Sequence, residues 1–276
     1  MKKNRLILEA CLSIALAAVI IILATISFSG KKKAYDVIVF GDSIIGNDRT
    51  ENSVTAFLEK ESGLKCLNAA FGGTCLTGMD SVTPGEKEGF YSVYEISEAF
   101  AAGDIERLTM AAFPEKLTAR YYFEDTVKEL GRVDIKKTKY IIIQAGTNDY
   151  LSGVIVKGED KISFYESLRK TVENFKKAAP HAEIMILTPC FNDIFPGDER
   201  NSLNYSFDGG GTIEDYVNAE LLYGKEYGIP VIDNLHGSKI NENTYEQYLL
   251  DGLHPNTEGN REIAATIWNF IAQKTQ

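Results

Sequence analysis

Three side chains in this sequence have the types and spacing needed for nucleophilic catalysis: Ser43, Asp251 and His254. A serine hydroxyl becomes a nucleophile when a neutral imidazole accepts its proton, and that imidazole needs a partner that fixes its tautomer. Asp251 lies three residues before His254, so its carboxylate can reach the imidazole across one turn. The trio predicts that Ser43 is an activated nucleophile, provided that the fold brings Ser43 and His254 together.

The local sequence around Ser43 and His254 fits these roles. Gly41 permits unusual backbone dihedrals before Ser43, and a helix that begins at Ser43 would favour developing negative charge near it. Pro255 keeps His254 extended and lets a helix begin just beyond it. Taken alone, however, the tripeptide GDS favours a serine that merely caps a helix.

The other two histidines lack the arrangement seen at His254. His181 follows a proline in a turn that should be exposed, and we expect it to be solvated. His236 follows the last predicted strand, which places it near the expected site, but a structural role is favoured. We therefore predict that His254 alone acts as the base.

The elements that must position these residues alternate along the chain from Tyr35 onward. Short apolar runs, too hydrophobic for one-sided strands, predict five parallel strands buried on both faces, at 35–40, 64–69, 139–145, 183–188 and 229–233. Stretches with apolar residues at helical spacing predict helices near 50–61, 92–102, 115–130, 163–178, 213–227 and 257–273. This alternation indicates an α/β protein with a flavodoxin-like, doubly wound, five-stranded parallel sheet. Ligands of such sheets bind beyond the carboxyl ends of the strands, where the GDS tripeptide should lie.

Four short blocks occur in order between residues 41 and 254, and together they resemble the SGNH (GDSL-type) hydrolase superfamily. The serine block reads GDSIIGND, the glycine block NAAFGG, the asparagine block GTND and the last block DGLH. The positions that match the family pattern are Ser43, Asn68, Gly73, Asn148, Asp251 and His254. The glycine block departs from the usual pattern at Ala70, which leaves both Gly72 and Gly73 as candidates for an amide donor; the spacing favours Gly73.

The resemblance implies a serine esterase mechanism. Ser43 would attack the acyl carbonyl, His254 would accept its proton, and Asp251 would orient and stabilise the imidazolium. The oxyanion hole would consist of the amides of Ser43 and Gly73 and the side chain of Asn148. Asp42 and Asp149 are expected to form structural hydrogen bonds, and no cofactor or metal is expected.

The segment between the glycine and asparagine blocks is longer than one β/α connection, which predicts a helical insertion at about 76–138. Its aromatic residues could line an acyl or sugar pocket, although we favour the apolar faces of added helices: Phe90, Tyr91, Tyr94, Phe100, Phe113, Tyr121, Tyr122 and Phe123. A second long loop, 191–211, leaves the carboxyl end of the fourth strand and ends in three glycines. It is a candidate lid or rim of the site.

The N-terminal 33 residues differ in charge from the rest of the chain. The whole chain has a formal charge of -10, yet residues 1–33 hold six Lys/Arg and one acidic residue. Residues 34–276 hold 23 basic and 38 acidic residues, a balance that argues against nucleic-acid binding. Residues 10–28 form an uncharged run of about the length that spans a bilayer. We predict one transmembrane signal anchor in 1–33 and one hydrolase domain in 34–276; a cleaved signal peptide is the alternative.

The predicted location is a membrane-anchored protein with an extracytoplasmic catalytic domain, or a secreted one if the N-terminal segment is cleaved. Cys66, Cys75 and Cys190 are expected to be free thiols, with a disulfide between Cys66 and Cys75 as the alternative. The resemblance implies hydrolysis of an acyl ester. An anchored, acidic, extracytoplasmic domain with a polar, aromatic-containing rim favours an O-acetyl ester on a carbohydrate or cell-envelope glycan. Lipase or lysophospholipase, thioesterase and acyltransferase activities remain open, as does a non-catalytic glycan-binding module.

Overall fold

The sheet at the centre of the fold is parallel and five-stranded, as the sequence predicts. The computed structural model describes residues 32–78, 92–109, 120–158, 163–195 and 197–274. The strands are β1 (Val37–Phe40), β2 (Cys66–Asn68), β3 (Tyr140–Gln144), β4 (Glu183–Leu187) and β5 (Val231–Ile232). Their order in the sheet is β2-β1-β3-β4-β5, and every neighbouring pair is parallel. This order is the one of the flavodoxin-like, doubly wound class, which confirms that part of the prediction.

The described helices lie between and after these strands. They are α1 (Ser43–Gly46), α2 (Val54–Ser62), α3 (Val93–Ala102), α4 (Glu106–Thr109), α5 (Arg120–Arg132), α6 (Thr147–Leu151), α7 (Phe164–Ala178), α8 (Ile213–Tyr227), α9 (Asn234–Gly237), α10 (Tyr245–Tyr248) and α11 (Thr257–Lys274). Five of the six predicted helices begin within about four residues of their predicted starts; the prediction near 115 falls partly on residues outside the described ranges.

Helices cover both faces of the sheet, because consecutive strand residues are apolar and point alternately to the two faces. On β1, Ile38 and Phe40 belong to a core shared with α3, α7 and α8, whereas Val37 and Val39 belong to a core shared with α2 and α11. All four side chains are fully buried. Burial on both faces explains why the strands read as continuous apolar runs.

The segment between β2 and β3 contributes the helices α3, α4 and α5. Phe100 of α3 packs against Phe40 and Phe175, with ring centroids 5.8 and 6.3 Å away respectively. Tyr122 and Phe123 of α5 are also buried, so these aromatic residues are core, as favoured. Tyr94 is half-buried, and Tyr121 has 71% of its surface exposed. Phe90, Tyr91 and Phe113 lie outside the described residues.

The predicted anchor, including the apolar run 10–28, lies outside the described residues, so the anchor and the location of the domain stay predictions. No helix in the described ranges combines the length and apolar character required to cross a bilayer. The described fold includes Lys33, whose amide donates to the carbonyl of Arg132 at 2.7 Å and whose carbonyl accepts from the amide of Asp134 at 2.8 Å.

Candidate active site

Ser43 is the first residue of α1, directly after the turn that follows β1. Asp42 caps this helix, since its Oδ1 accepts a hydrogen bond from the Ile44 amide at 2.9 Å. Gly41 is required by close packing, because a Cβ there would lie 2.6 Å from the carbonyl oxygen of Gln144. The turn therefore holds Ser43 beside the end of β3, at the carboxyl edge of the sheet.

Ser43, His254 and Asp251 form one chain of hydrogen bonds. His254 Nε2 lies 3.1 Å from Ser43 Oγ, and His254 Nδ1 lies 2.8 Å from Asp251 Oδ2. The other carboxylate oxygen of Asp251 accepts from the backbone amides of His254 at 2.7 Å and Leu253 at 3.1 Å. With a proton on Nδ1 directed at Asp251, Nε2 is free to accept the Ser43 proton.

The carboxyl group of Asp251 is held in its ionised form. Partial burial raises its pKa, but the hydrogen bonds from the amide and imidazole of His254 outweigh burial, and the pKa lies below its ordinary value. The carboxylate is therefore negatively charged at neutral pH, as a partner of an imidazolium needs to be.

The turn that contains Asp251 and His254 is fixed by the loop after β4. Gly252 has φ of +77°, and its carbonyl accepts from the Asp193 amide at 2.8 Å. A Cβ at Gly252 would lie 1.9 Å from the Asp193 carbonyl oxygen. Loop 191–211 thus positions the Asp251–His254 turn through backbone contacts.

The oxyanion-hole candidates meet next to Ser43. Asn148, on α6, donates through Nδ2 to the Thr74 carbonyl at 3.0 Å, which places it against the glycine block. The Gly72 amide donates to the Tyr122 hydroxyl at 2.9 Å. Among the described residues, the amides of Ser43 and Gly73 have no hydrogen-bond partner. Of the two candidate glycines, Gly73 is therefore the one whose amide is available to a substrate oxygen.

The acidic residues of the blocks, Asp42 and Asp149, act as hydrogen-bond acceptors within the fold. Asp149 is fully buried and accepts from the amides of Leu76 at 2.8 Å and Thr77 at 3.0 Å, so it holds the chain that follows the glycine block. Burial raises the pKa of Asp149 and raises that of Asp42 to about 7. Gln144, also buried, accepts from the Asp42 amide at 3.3 Å.

Asn68 joins the glycine block to the nucleophile helix. Its Nδ2 donates to the Ile45 carbonyl at 2.8 Å, and its Oδ1 accepts from the Ala70 amide at 3.2 Å. This position matches the family pattern, and its contacts show a structural use for an asparagine there. The side chain ties the end of β2 to α1.

Sequence reasoning gave no role to Arg49 and Gln144, and it named Tyr122 only among the aromatic residues of the insertion. Arg49 follows the serine block, Tyr122 belongs to the insertion, and Gln144 ends an apolar strand. Each acts mainly on backbone atoms, and a backbone partner leaves no pattern in the sequence that could have pointed to it.

The prediction that His236 lacks an acidic partner at the spacing of His254 is wrong. Asp233 lies three residues before His236, and the Asp233 Oδ2 to His236 Nδ1 distance is 2.8 Å, as in the Asp251–His254 pair. The Nε2 atom of His236 faces Glu214 at 3.3 Å instead of a serine. The local spacing thus forms an Asp–His pair in both places, but only His254 reaches a nucleophile.

An open groove of about 560 Å³ begins at Ser43, Asp251 and His254. Tyr121 and Leu250 are the exposed large hydrophobic side chains that line it, at 71% and 75% of their surface. The Tyr121 hydroxyl donates to the Asn47 carbonyl at 2.7 Å, which holds the ring at the groove. The groove is lined by Ser43, Ile44, Asn47, Asp48, Arg49, Thr50, Tyr121, Leu250, Asp251, His254, Pro255, Asn256, Thr257 and Asn260. Loop 191–211 contributes none of these residues; it contacts the Asp251–His254 turn through Asp193 and does not line this groove.

The three cysteines of the described ranges are free thiols. Cys66, Cys75 and Cys190 form no disulfide, as favoured over the Cys66–Cys75 alternative. Burial raises the pKa of each thiol above its ordinary value. They are thus protonated at neutral pH and poor nucleophiles.

The family of the chain follows from comparison with known proteins. The model of the GDSL-like lipase/acylhydrolase family matches residues 39–262, and the chain belongs to that family. It is accordingly an enzyme of the carboxylic ester hydrolase class, which confirms the predicted class. No curated protein sequence matches the chain.

Solved structures share the fold at low sequence identity. A "possible lipase" from Chitinophaga pinensis is 19% identical, with a TM-score of 0.54, over 87% of this chain and 98% of that one. A member of the lipolytic G-D-S-L family from Veillonella parvula is 17% identical, with a TM-score of 0.50, over 86% and 98%. The salicylyl-acyltransferase SsfX3 of a tetracycline biosynthetic pathway is 13% identical, with a TM-score of 0.52, over 90% and 56%. At these identities the likeness concerns the fold.

Proposed function

We propose that the protein is a serine esterase in which Ser43 is the nucleophile, His254 the general base and acid, and Asp251 the partner of the imidazole. The observation that carries this proposal is the hydrogen-bond chain from Asp251 through His254 to Ser43, with contacts of 2.8 and 3.1 Å. The contacts have the geometry that the serine mechanism requires of nucleophile, base and orienting group.

Acylation begins when Ser43 Oγ bonds to the acyl carbon while His254 Nε2 takes the hydroxyl proton. The carbonyl oxygen becomes negative and is bound by the free amides of Ser43 and Gly73 and by the second Nδ2 hydrogen of Asn148. Collapse breaks the bond to the alcohol oxygen, which leaves with the proton from Nε2. Water then attacks the acyl-serine by the same steps, which releases the acid and restores Ser43.

The substrate that we propose is a short acyl ester, in particular an O-acetyl group on a carbohydrate. Most side chains that line the groove are polar and can hydrogen-bond to sugar hydroxyls. The exposed ring of Tyr121, held by its hydroxyl, offers a flat apolar surface of the kind that sugar rings stack on.

An acyltransferase uses the same acyl-serine but passes the acyl group to an alcohol in place of water. The fold is shared with the salicylyl-acyltransferase named above, which makes this the second candidate. The two activities differ in whether acid is released when no acceptor alcohol is present. Lipase, thioesterase and glycan-binding functions are further outcomes of the same measurement.

The test compares the purified full-length protein with Ser43→Ala on p-nitrophenyl esters from acetyl to dodecanoyl and on an acetylated glycan. We expect short-chain hydrolysis and release of acetate from the glycan, both lost in Ser43→Ala. The control is Ser97→Ala, which removes a buried hydroxyl on α3 and should leave activity unchanged.

Each other outcome points elsewhere. A preference for long acyl chains would indicate that the substrate is a lipid ester and not a glycan ester. Transfer to an added sugar without acid release in its absence would make the protein an acyltransferase. A folded protein inactive on every ester and acceptor would contradict the catalytic proposal and leave a binding function.

A further inference from the structure

The hydroxyl of Tyr122 lies between the nucleophile helix and the glycine block. The residue is at the start of α5, in the insertion, and its side chain is buried. Its Oη accepts the Gly72 amide at 2.9 Å, and a Cβ at Gly46 would lie 3.0 Å from the same oxygen. Gly46 ends α1, so one hydroxyl is in contact with both parts of the chain that would bind the substrate carbonyl.

Arg49 also connects α1 to the glycine block. Its Nε donates to the Gly46 carbonyl at 2.7 Å and its Nη1 to the Asn68 carbonyl at 2.8 Å, while Nη2 donates to the Ala70 carbonyl. The planar guanidinium lies over the Tyr122 ring, 3.9 Å from its centre. A rigid fork of donors suits several fixed carbonyls at once, which a lysine could not reach together.

Arg49 has no carboxylate partner among the described residues, although it is largely covered by the fold. An ordinary salt bridge therefore does not explain its position. Burial lowers its pKa, and contact with Tyr122 acts in the opposite direction. The guanidinium instead contacts the ring of Tyr122 and donates to three backbone carbonyls. All three carbonyls belong to the serine and glycine blocks.

We propose that Tyr122, supported by Arg49, positions the oxyanion hole, an inference that rests on the proposed esterase function. Consecutive amides of the glycine block have different partners: the Gly72 amide is bound by Tyr122, and the Gly73 amide is free. Gly73 itself has φ of +79°, a conformation that a glycine alone adopts without strain. Fixing the Gly72 amide therefore sets the direction in which the Gly73 amide points.

This contact assigns a role in catalysis to the insertion. Tyr122 is buried and does not line the groove, so it acts as a positioning residue and does not touch the substrate. Such a residue affects the transition state, where the oxyanion is formed, more than the bound ester.

The experiment compares Tyr122→Phe, which removes only the hydroxyl, with Tyr165→Phe as a control. Tyr165 has a similarly buried ring and a hydroxyl hydrogen bond to Glu226, away from the site. We expect kcat on p-nitrophenyl acetate to fall about tenfold in Tyr122→Phe with KM unchanged, since one oxyanion donor is misdirected but not removed. Binding of a boronic acid, whose adduct with Ser43 places an oxygen in the hole, should weaken by a similar factor. Tyr165→Phe should alter neither.

Hydrogen exchange tests the same contact without the need for turnover. We expect the amides of residues 71–77 to exchange faster in Tyr122→Phe than in the wild type or Tyr165→Phe, with other regions unchanged. A kcat within twofold of wild type, a change in KM alone, or an equal loss in Tyr165→Phe would overturn the proposal. If the wild type hydrolyses no ester, the proposed function fails, and unchanged exchange at 71–77 would separately refute the positioning role.

Discussion

A carboxylate three residues before a histidine creates an oriented imidazole within a single turn, and this chain contains two such pairs. Asp251–His254 and Asp233–His236 have the same Nδ1 to carboxylate distance of 2.8 Å. Only His254 has a hydroxyl within reach of Nε2, whereas Nε2 of His236 faces Glu214. The pair alone thus supplies a correct tautomer, and catalysis requires in addition that a distant serine be placed at Nε2.

Among the oxyanion-hole candidates, Asn148 is the side chain whose removal we expect to lower kcat most. Asn148→Ala should lower kcat by about 100- to 1000-fold with the fold intact, as expected for removal of one donor. Steady-state kinetics on a short-chain ester, with the unfolding midpoint measured in parallel, checks this. Asn174→Ala removes an amide bonded to Ser97, between α3 and α7, and should leave kcat unchanged. Turnover of Asn148→Ala within a few-fold of wild type would remove Asn148 from the oxyanion hole.

The trio is assembled by segments that contact one another through the backbone. The turn after β1 packs on β3 at Gly41, and the turn of Asp251 and His254 packs on the loop after β4 at Gly252. At both places the absence of a Cβ allows the approach. Because Gly252 is next to Asp251, a shift there moves the carboxylate and the imidazole together.

We predict that Gly252→Ala destabilises the protein and impairs catalysis. The new Cβ would overlap the Asp193 carbonyl oxygen at 1.9 Å, and φ of +77° is unfavourable for alanine. Strain of this kind costs about 1 to 3 kcal/mol, and the displaced His254 should lower kcat by at least about tenfold. Thermal unfolding and kinetics measure the two effects. Gly237→Ala is the control, since a Cβ there meets no atom within 4 Å. Equal behaviour of the two variants would contradict the role of the Gly252 contact.

Three buried acidic side chains lie close enough to influence one another's ionisation. Asp42, Asp149 and Glu220 are fully buried, and neither carboxyl oxygen of Glu220 has a partner among the described residues. Burial raises the pKa of Glu220 well above its ordinary value, and the negative charges of Asp149, Asp233 and Asp42 raise it further. The folded protein therefore binds a proton at Glu220 more tightly than the unfolded chain does.

This proton makes the stability of the whole fold depend on pH. Between the ordinary pKa of a glutamate and the raised pKa of Glu220, the unfolded chain loses the proton while the folded protein keeps it, so the free energy of unfolding falls as pH rises. The glutamine of Glu220→Gln cannot ionise, so this variant lacks that decrease in the free energy of unfolding. We expect the melting temperature of Glu220→Gln, relative to wild type, to increase by a few degrees from about pH 5 to about pH 8.

Scanning calorimetry at a series of pH values measures this difference. Glu124→Gln, a change at a side chain that is 84% exposed, is the control and should show no such trend. A constant difference between Glu220→Gln and wild type across the range would show that Glu220 does not carry the proton.

Local pattern was sufficient for the strands, most helices and the Asp251–His254 pair, whereas the union of Ser43 with that pair was predicted from the four ordered blocks together. Burial on both faces produces apolar runs, and the residues that form the turns of the blocks are adjacent in the chain. Both features can therefore be predicted from local sequence. The sequence did not predict that Arg49, Tyr122 and the Gly252–Asp193 contact support the site. In each of these contacts one partner is a backbone carbonyl or amide, which every residue possesses, and the residues that meet are brought together only when the helices and loops close around the sheet.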